Sequence, residues 1–164
     1  MIVEEFRVVA VVYVAVLAPL IIYFLNKHKI PEWVPSFYIV GVIVCSLGWE
    51  LWFTYGWIDG VPVDSRRSEV LNNWLPKNIN WLLNSMADAG TVLIGGVWLM
   101  WISHKKNSKV FTQWNWSAFC ILLIWCIGQN ILVEMFLYHD QLADGKPLSW
   151  APLSPFGSYF NPLL

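Results

Sequence analysis

The chain has 164 residues, 57% of them hydrophobic and 13% charged, with twelve tryptophans, nine phenylalanines, six tyrosines and a mean hydropathy of +0.53. Too few polar groups remain to cover a small core with a solvated surface, which argues against a water-soluble globule and for an integral membrane protein. The net charge of -1 offers no basic field for nucleic acid, and the length suits one membrane domain spanning 1–164.

Uncharged runs of about 20 residues predict an all-α bundle of four transmembrane helices, at about 8–25, 37–57, 79–102 and 117–138. Glu4 and Glu5 precede the first run, which is too long for a signal-peptide h-region, so the N-terminus reads as mature. Pro19 is expected to kink that first helix. Gly41 and Gly48 in the second run, and Gly90, Gly95 and Gly96 in the third, offer small surfaces for close helix approach. Cys45, Cys120 and Cys126 all lie within apolar runs and read as small membrane-buried side chains, not as a disulfide framework or a zinc set. The tail 139–164 contains Pro147, Pro152, Pro155 and Pro162, so a non-helical segment along the interface is expected there.

Loop charge sets the expected orientation. Lys27 and Lys29 lie between the first two runs, and Lys105, Lys106 and Lys109 between the last two, where no acid accompanies them. The segment between runs two and three mixes Asp59, Asp64 and Glu69 with Arg66, Arg67 and Lys77, and the tail adds Asp140, Asp144 and Lys146. The positive-inside rule therefore puts both termini on the non-cytoplasmic side of a multi-pass protein. Trp33, Trp98, Trp101, Trp114 and Trp116 would form an inner aromatic belt, with Trp57, Trp74, Trp81 and Trp150 near the outer one.

Three acids fall inside the spans: Glu50, Asp88 and Glu134; no lysine or arginine does. A carboxylate near a bilayer centre costs at least about 2.5 kcal/mol, so such residues normally face a protein or water-filled interior. Each belongs to a polar stripe of four-residue spacing: Ser46, Glu50 and Thr54; Asn80, Asn84 and Asp88; Asn130, Glu134 and Tyr138. With a rise of about 1.5 Å per residue all three acids fall in the outer half, which suggests one polar pocket. Glu50, Asp88 and Glu134 are the candidate catalytic groups. Trp49, Trp52 and Tyr55, with Asn80, Asn84, Asn130 and Tyr138, are the candidate substrate-binding residues, since aromatic rings beside an acid suit a cationic intermediate. The competing reading is that the stripes are interhelical hydrogen-bond glue, with Trp125 and the other interior aromatics as filler.

No metal site or cofactor is expected. His28 and His104 lie in the basic loops, and only His139 is near the acids. No Ser-His-acid or Cys-His set fits one depth, no phosphate loop follows a strand, and Asn115-Trp116-Ser117 matches the glycosylation pattern on the wrong predicted side.

At Cys45-Ser46-Leu47-Gly48-Trp49-Glu50 the chain resembles the membrane-bound terpene cyclases of meroterpenoid pathways, whose helix reads Cys-Asn, two small or apolar residues, then Trp-Glu. Ser46 stands at the Asn position, and Trp81 to Asp88 looks like a following helix of that family. The resemblance implies that Glu50 helps protonate the epoxide or olefin of a polyprenyl substrate. The family usually has seven spans against the four expected here, and its second essential acid lies on a C-terminal helix with no counterpart in this alignment. The pattern is also similar to the emopamil-binding-protein (EXPERA) group of sterol isomerases and sterol binders. The leading expectation is an acid-catalysed cyclase or isomerase acting on a membrane-borne isoprenoid-like ligand. The alternatives are a small non-catalytic subunit that packs against other membrane subunits, and a sterol or lipid binder.

Overall fold

The computed structural model describes residues 1–56 and 62–136, the side chains of 52 and 130–136 excepted; the tail 139–164 lies outside the described residues. Every regular element among the described residues is helical.

Helix α1 covers Val3–Asn26, starting before its apolar run because Glu4 and Glu5 fill the first turn, where carboxylates complement the exposed amides. The Ile2 amide donates to Glu5 Oε2 at 2.9 Å. Pro19 is buried within α1, and a Cβ placed on Gly90 would lie 3.2 Å from its ring carbons. The ring therefore fills space that a glycine leaves on the neighbouring helix.

Helix α2 covers Val34–Leu47, with Pro35 in its first turn, where the missing amide costs nothing. Gly48 ends it: its amide bonds the Val44 carbonyl at 3.0 Å, and a Cβ there would stand 2.9 Å from that oxygen. Helix α3, Trp49–Tyr55, continues almost at once and stops at Gly56, whose φ of 66° is left-handed. Two short helices follow, α4 (Val63–Arg66) and α5 (Glu69–Trp74), the second capped by Ser68, which accepts from the Leu71 amide at 3.2 Å.

The third rod is one run in three pieces: α6 (Lys77–Ala89), a π-helical stretch (Gly90–Gly95) and α7 (Gly96–Ser103). The Thr91 hydroxyl donates to the Ala87 carbonyl at 2.8 Å, a back-bond of the kind that loosens a ladder, and widened turns leave carbonyls open to other donors. The Thr91 carbonyl accepts such a bond, from the Trp125 indole at 2.7 Å. Trp125 belongs to α8 (Trp116–Phe136), which Asn115 caps by accepting from the Ala118 amide at 3.1 Å.

The α6–α7 rod is central. Its first half packs on α1, α2 and α3, and α7 packs on α8. One apolar cluster, Val8, Val9, Leu71 and Leu75, closes one end of the bundle; Ile30, Val34, Ile94 and Val97, with Phe111 against them, close the other. Three helical runs are long and apolar enough to cross a membrane: Val3–Asn26, Val34–Tyr55 and Lys77–Ser103. The apolar stretch of α8 with described side chains, Trp116–Gln129, is shorter.

Candidate functional site

Ser46, Glu50 and Thr54 share one face across the α2–α3 junction, and all three are buried, at 8%, 3% and 0% exposure. That face meets α6: the Trp81 indole donates to the Ser46 carbonyl at 2.8 Å, and α3 packs on the same helix. The Thr54 hydroxyl donates to Glu50 Oε2 at 2.9 Å, one turn away. Buried hydroxyl and carboxylate satisfy each other here, as a medium without water demands.

On α6, Asn80 is buried to 1% exposure, while Asn84 and Asp88 are half-buried. Glu50 and Asp88 belong to α3 and α6, which pack on one another. Among the described residues no hydrogen bond reaches the Asp88 carboxyl; its backbone carbonyl takes a 3.3 Å bond from the Thr91 hydroxyl. Tyr55 points to the end of the bundle, where its hydroxyl donates to Asn78 Oδ1 at 2.9 Å and its ring meets Trp81 edge-on at 6.3 Å. Trp49 is 43% exposed. The side chains of Trp52, Asn130 and Glu134, and all of Tyr138, lie outside the described residues.

Two cations enter this region from between the spans. Arg66 is 2% exposed; its Nη2 donates to the Phe53 carbonyl, beside Thr54, and its guanidinium stacks 5.0 Å from the Phe53 ring centroid. Arg67, 5% exposed, donates to Asn80 Oδ1 at 2.9 Å, to the Leu75 carbonyl at 2.7 Å and to Asn72 Oδ1 at 3.3 Å. Burial, and then the Arg66 charge, pull its pKa down to about 10, against a smaller opposing effect of Asp64; it stays cationic at neutral pH. The apolar runs read from the sequence carry no lysine or arginine, yet the polar end of the bundle is not cation-free. The arginine pair gave no sequence signal for burial, because its acceptors include backbone carbonyls and its position reads as an ordinary charged loop.

The same segment is stapled to α1. Ser68 Oγ donates to Glu5 Oε1 at 2.6 Å, which leaves Glu5 at 9% exposure, and the Tyr13 hydroxyl reaches the Trp74 carbonyl at 3.4 Å. Lys77 and Asp64 pair at 2.7 Å, both part-exposed, a contact worth little in water. Among the described residues, Asn80 Nδ2 and Trp101 Nε1 are buried donors without an acceptor. Trp101, expected in the inner belt, is 3% exposed and packed inside. Among the described residues no three His, Cys, Asp or Glu side chains gather as a metal set would require.

The chain matches no family model, no curated protein and no solved structure.

Proposed function

We propose that this chain is a membrane-embedded acid catalyst, a cyclase or isomerase that protonates an isoprenoid-like lipid between α2, α3 and α6. The observation that supports this most is Glu50, a carboxyl at 3% exposure held by Thr54, with Asp88 on α6, the helix that packs against α3. A water-poor pocket strengthens a positioned proton donor, and aromatic walls stabilise developing positive charge. In this reading Glu50 donates the proton, while Asp88 or Glu134 positions it or receives a proton when the cation collapses. No cofactor is required, since proton transfer alone starts and ends such a reaction. In this reading the chain crosses the membrane four times, α8 being the fourth span, with both termini on the non-cytoplasmic side.

The test uses membranes containing the full chain and a farnesylated aromatic substrate, offered as the olefin and as its terminal epoxide. Glu50→Gln keeps size and hydrogen bonding but removes the acid, so conversion falls at least about 100-fold while thermal stability is retained. Glu50→Asp withdraws the acid by one methylene and gives an intermediate loss. Full activity in Glu50→Gln overturns the assignment; so does a Glu50→Gln protein as stable as the parent beside a destabilised Glu50→Asp with equal turnover.

A further inference from the structure

The end of the bundle opposite Glu5 and Arg67 combines charge and aromatic exposure in a way the catalytic reading does not use. Lys27 and Lys29 follow α1, and Lys105, Lys106 and Lys109 follow α7; all five are exposed. The two loops are brought to one end because Ile30 and Val34 share a cluster with Val97 and Phe111. Glu32 is the only acid in residues 26–36 and 103–116. Lys105 and Lys106 both adopt left-handed φ, 54° and 60°, a conformation uncommon in non-glycine residues. The reversal folds Lys106 back over the end of α7, its amide on the Trp101 carbonyl at 2.9 Å and its ammonium 5.9 Å from the Trp101 ring centroid.

Beside this basic turn, Trp114 and Trp116 are each 68% exposed. They pack on one another at 5.1 Å and on Phe119 at 5.4 and 6.1 Å, so the rings form one cluster at the start of α8. Indoles held together yet left open suit the headgroup level of a bilayer, and clustered lysines there attract anionic lipid.

We propose that this end is a binding surface for anionic phospholipid headgroups, with Lys105, Lys106 and Lys109 contacting phosphate and Trp114 and Trp116 seated at the acyl boundary. The inference rests on membrane embedding, not on acid catalysis at Glu50. Lipid phosphate is favoured over an acidic protein because the exposed lysines and the exposed indole cluster share the α7–α8 connection, pairing phosphate-binding charge with rings suited to the headgroup boundary.

The chain is reconstituted in phosphatidylcholine with spin-labelled phosphatidylglycerol or spin-labelled phosphatidylcholine, and the motionally restricted fraction of each is compared. The expected preference for phosphatidylglycerol is about fivefold or more in 0.1 M salt, one lysine's attraction to an anionic surface, and it shrinks towards parity in 1 M salt. Lys105→Gln/Lys106→Gln/Lys109→Gln removes most of it. The salt series uses the unaltered protein and is independent of any folding defect in the variant. Equal association of the two lipids overturns the proposal, and so does a preference that survives either high salt or the triple substitution.

Discussion

Arg67 shows how one buried charge is held without a matched anion. All its acceptors are neutral: two asparagine side chains and the Leu75 carbonyl. With a pKa lowered to about 10, the native state binds this proton less tightly than the unfolded chain does. The resulting stability cost is fully present at neutral pH and is relieved only as pH rises through about 10. Asn80 carries a second imbalance, since its Oδ1 serves Arg67 while its buried Nδ2 has no acceptor. Asn80→Leu keeps the branched shape but leaves the guanidinium short of an acceptor, and is expected to cost about 2 kcal/mol. Asn80→Asp supplies that acceptor with opposite charge and removes the orphan donor, so it should equal or exceed the parent in stability. Thermal unfolding in detergent ranks the two; Asn80→Asp falling below Asn80→Leu contradicts this account of Arg67.

Among the elements, the central rod depends on glycines in unequal ways. A Cβ on Gly96 would meet Leu122 Cδ1 at 2.5 Å, but that is the tip of a side chain able to rotate. A Cβ on Gly41 would meet Leu93 Cδ1 at 2.8 Å and also Ala89 Cβ at 3.2 Å, and the second atom cannot turn away. Alanine in a helix gains up to about 1 kcal/mol over glycine. Gly96→Ala should therefore be near neutral, whereas Gly41→Ala should lose about 1 to 3 kcal/mol by overpacking. The reverse order of melting temperatures would show that α7–α8 is the tighter seam. Gly41, Gly90, Gly95 and Gly96 were legible in the sequence as places of close approach, whereas Gly48 meets only the Val44 carbonyl of its own helix; three of the long helices were legible too, because apolar runs and small residues carry those signals. The four-residue spacing of Ser46, Glu50 and Thr54 likewise announced a common face, and all three are buried. The π-helical stretch was not legible: Gly90–Gly95 reads as ordinary apolar helix, and its character depends on a back-bonding Thr91 and on Trp125 from a helix distant in sequence. Nor were Arg66 and Arg67, since loop charges are normally solvated and a backbone acceptor such as the Phe53 carbonyl leaves no mark on composition.

For the whole molecule, the two ends differ in kind, and that difference bears on orientation. One end is a closed network: Glu5 to Ser68, Arg67 to Asn80 and Tyr55 to Asn78 join α1, the α4–α5 segment, α3 and α6. The other end gathers five exposed lysines against one glutamate. Lysines in short loops resist translocation, so the lysine end should face the cytoplasm and the Glu5–Arg67 end the opposite side. Single cysteines at Ser65 and Ser108, both exposed, report the two ends separately. The background must first lose Cys45, Cys120 and Cys126, because Cys120 is itself exposed. In intact cells a membrane-impermeant maleimide should label Ser65→Cys directly and Ser108→Cys only after permeabilisation. Labelling of Ser108→Cys from outside would invert the chain. The Glu50 region would then open towards the inner leaflet, so that a lipophilic substrate would have to be drawn from the cytoplasmic half of the bilayer.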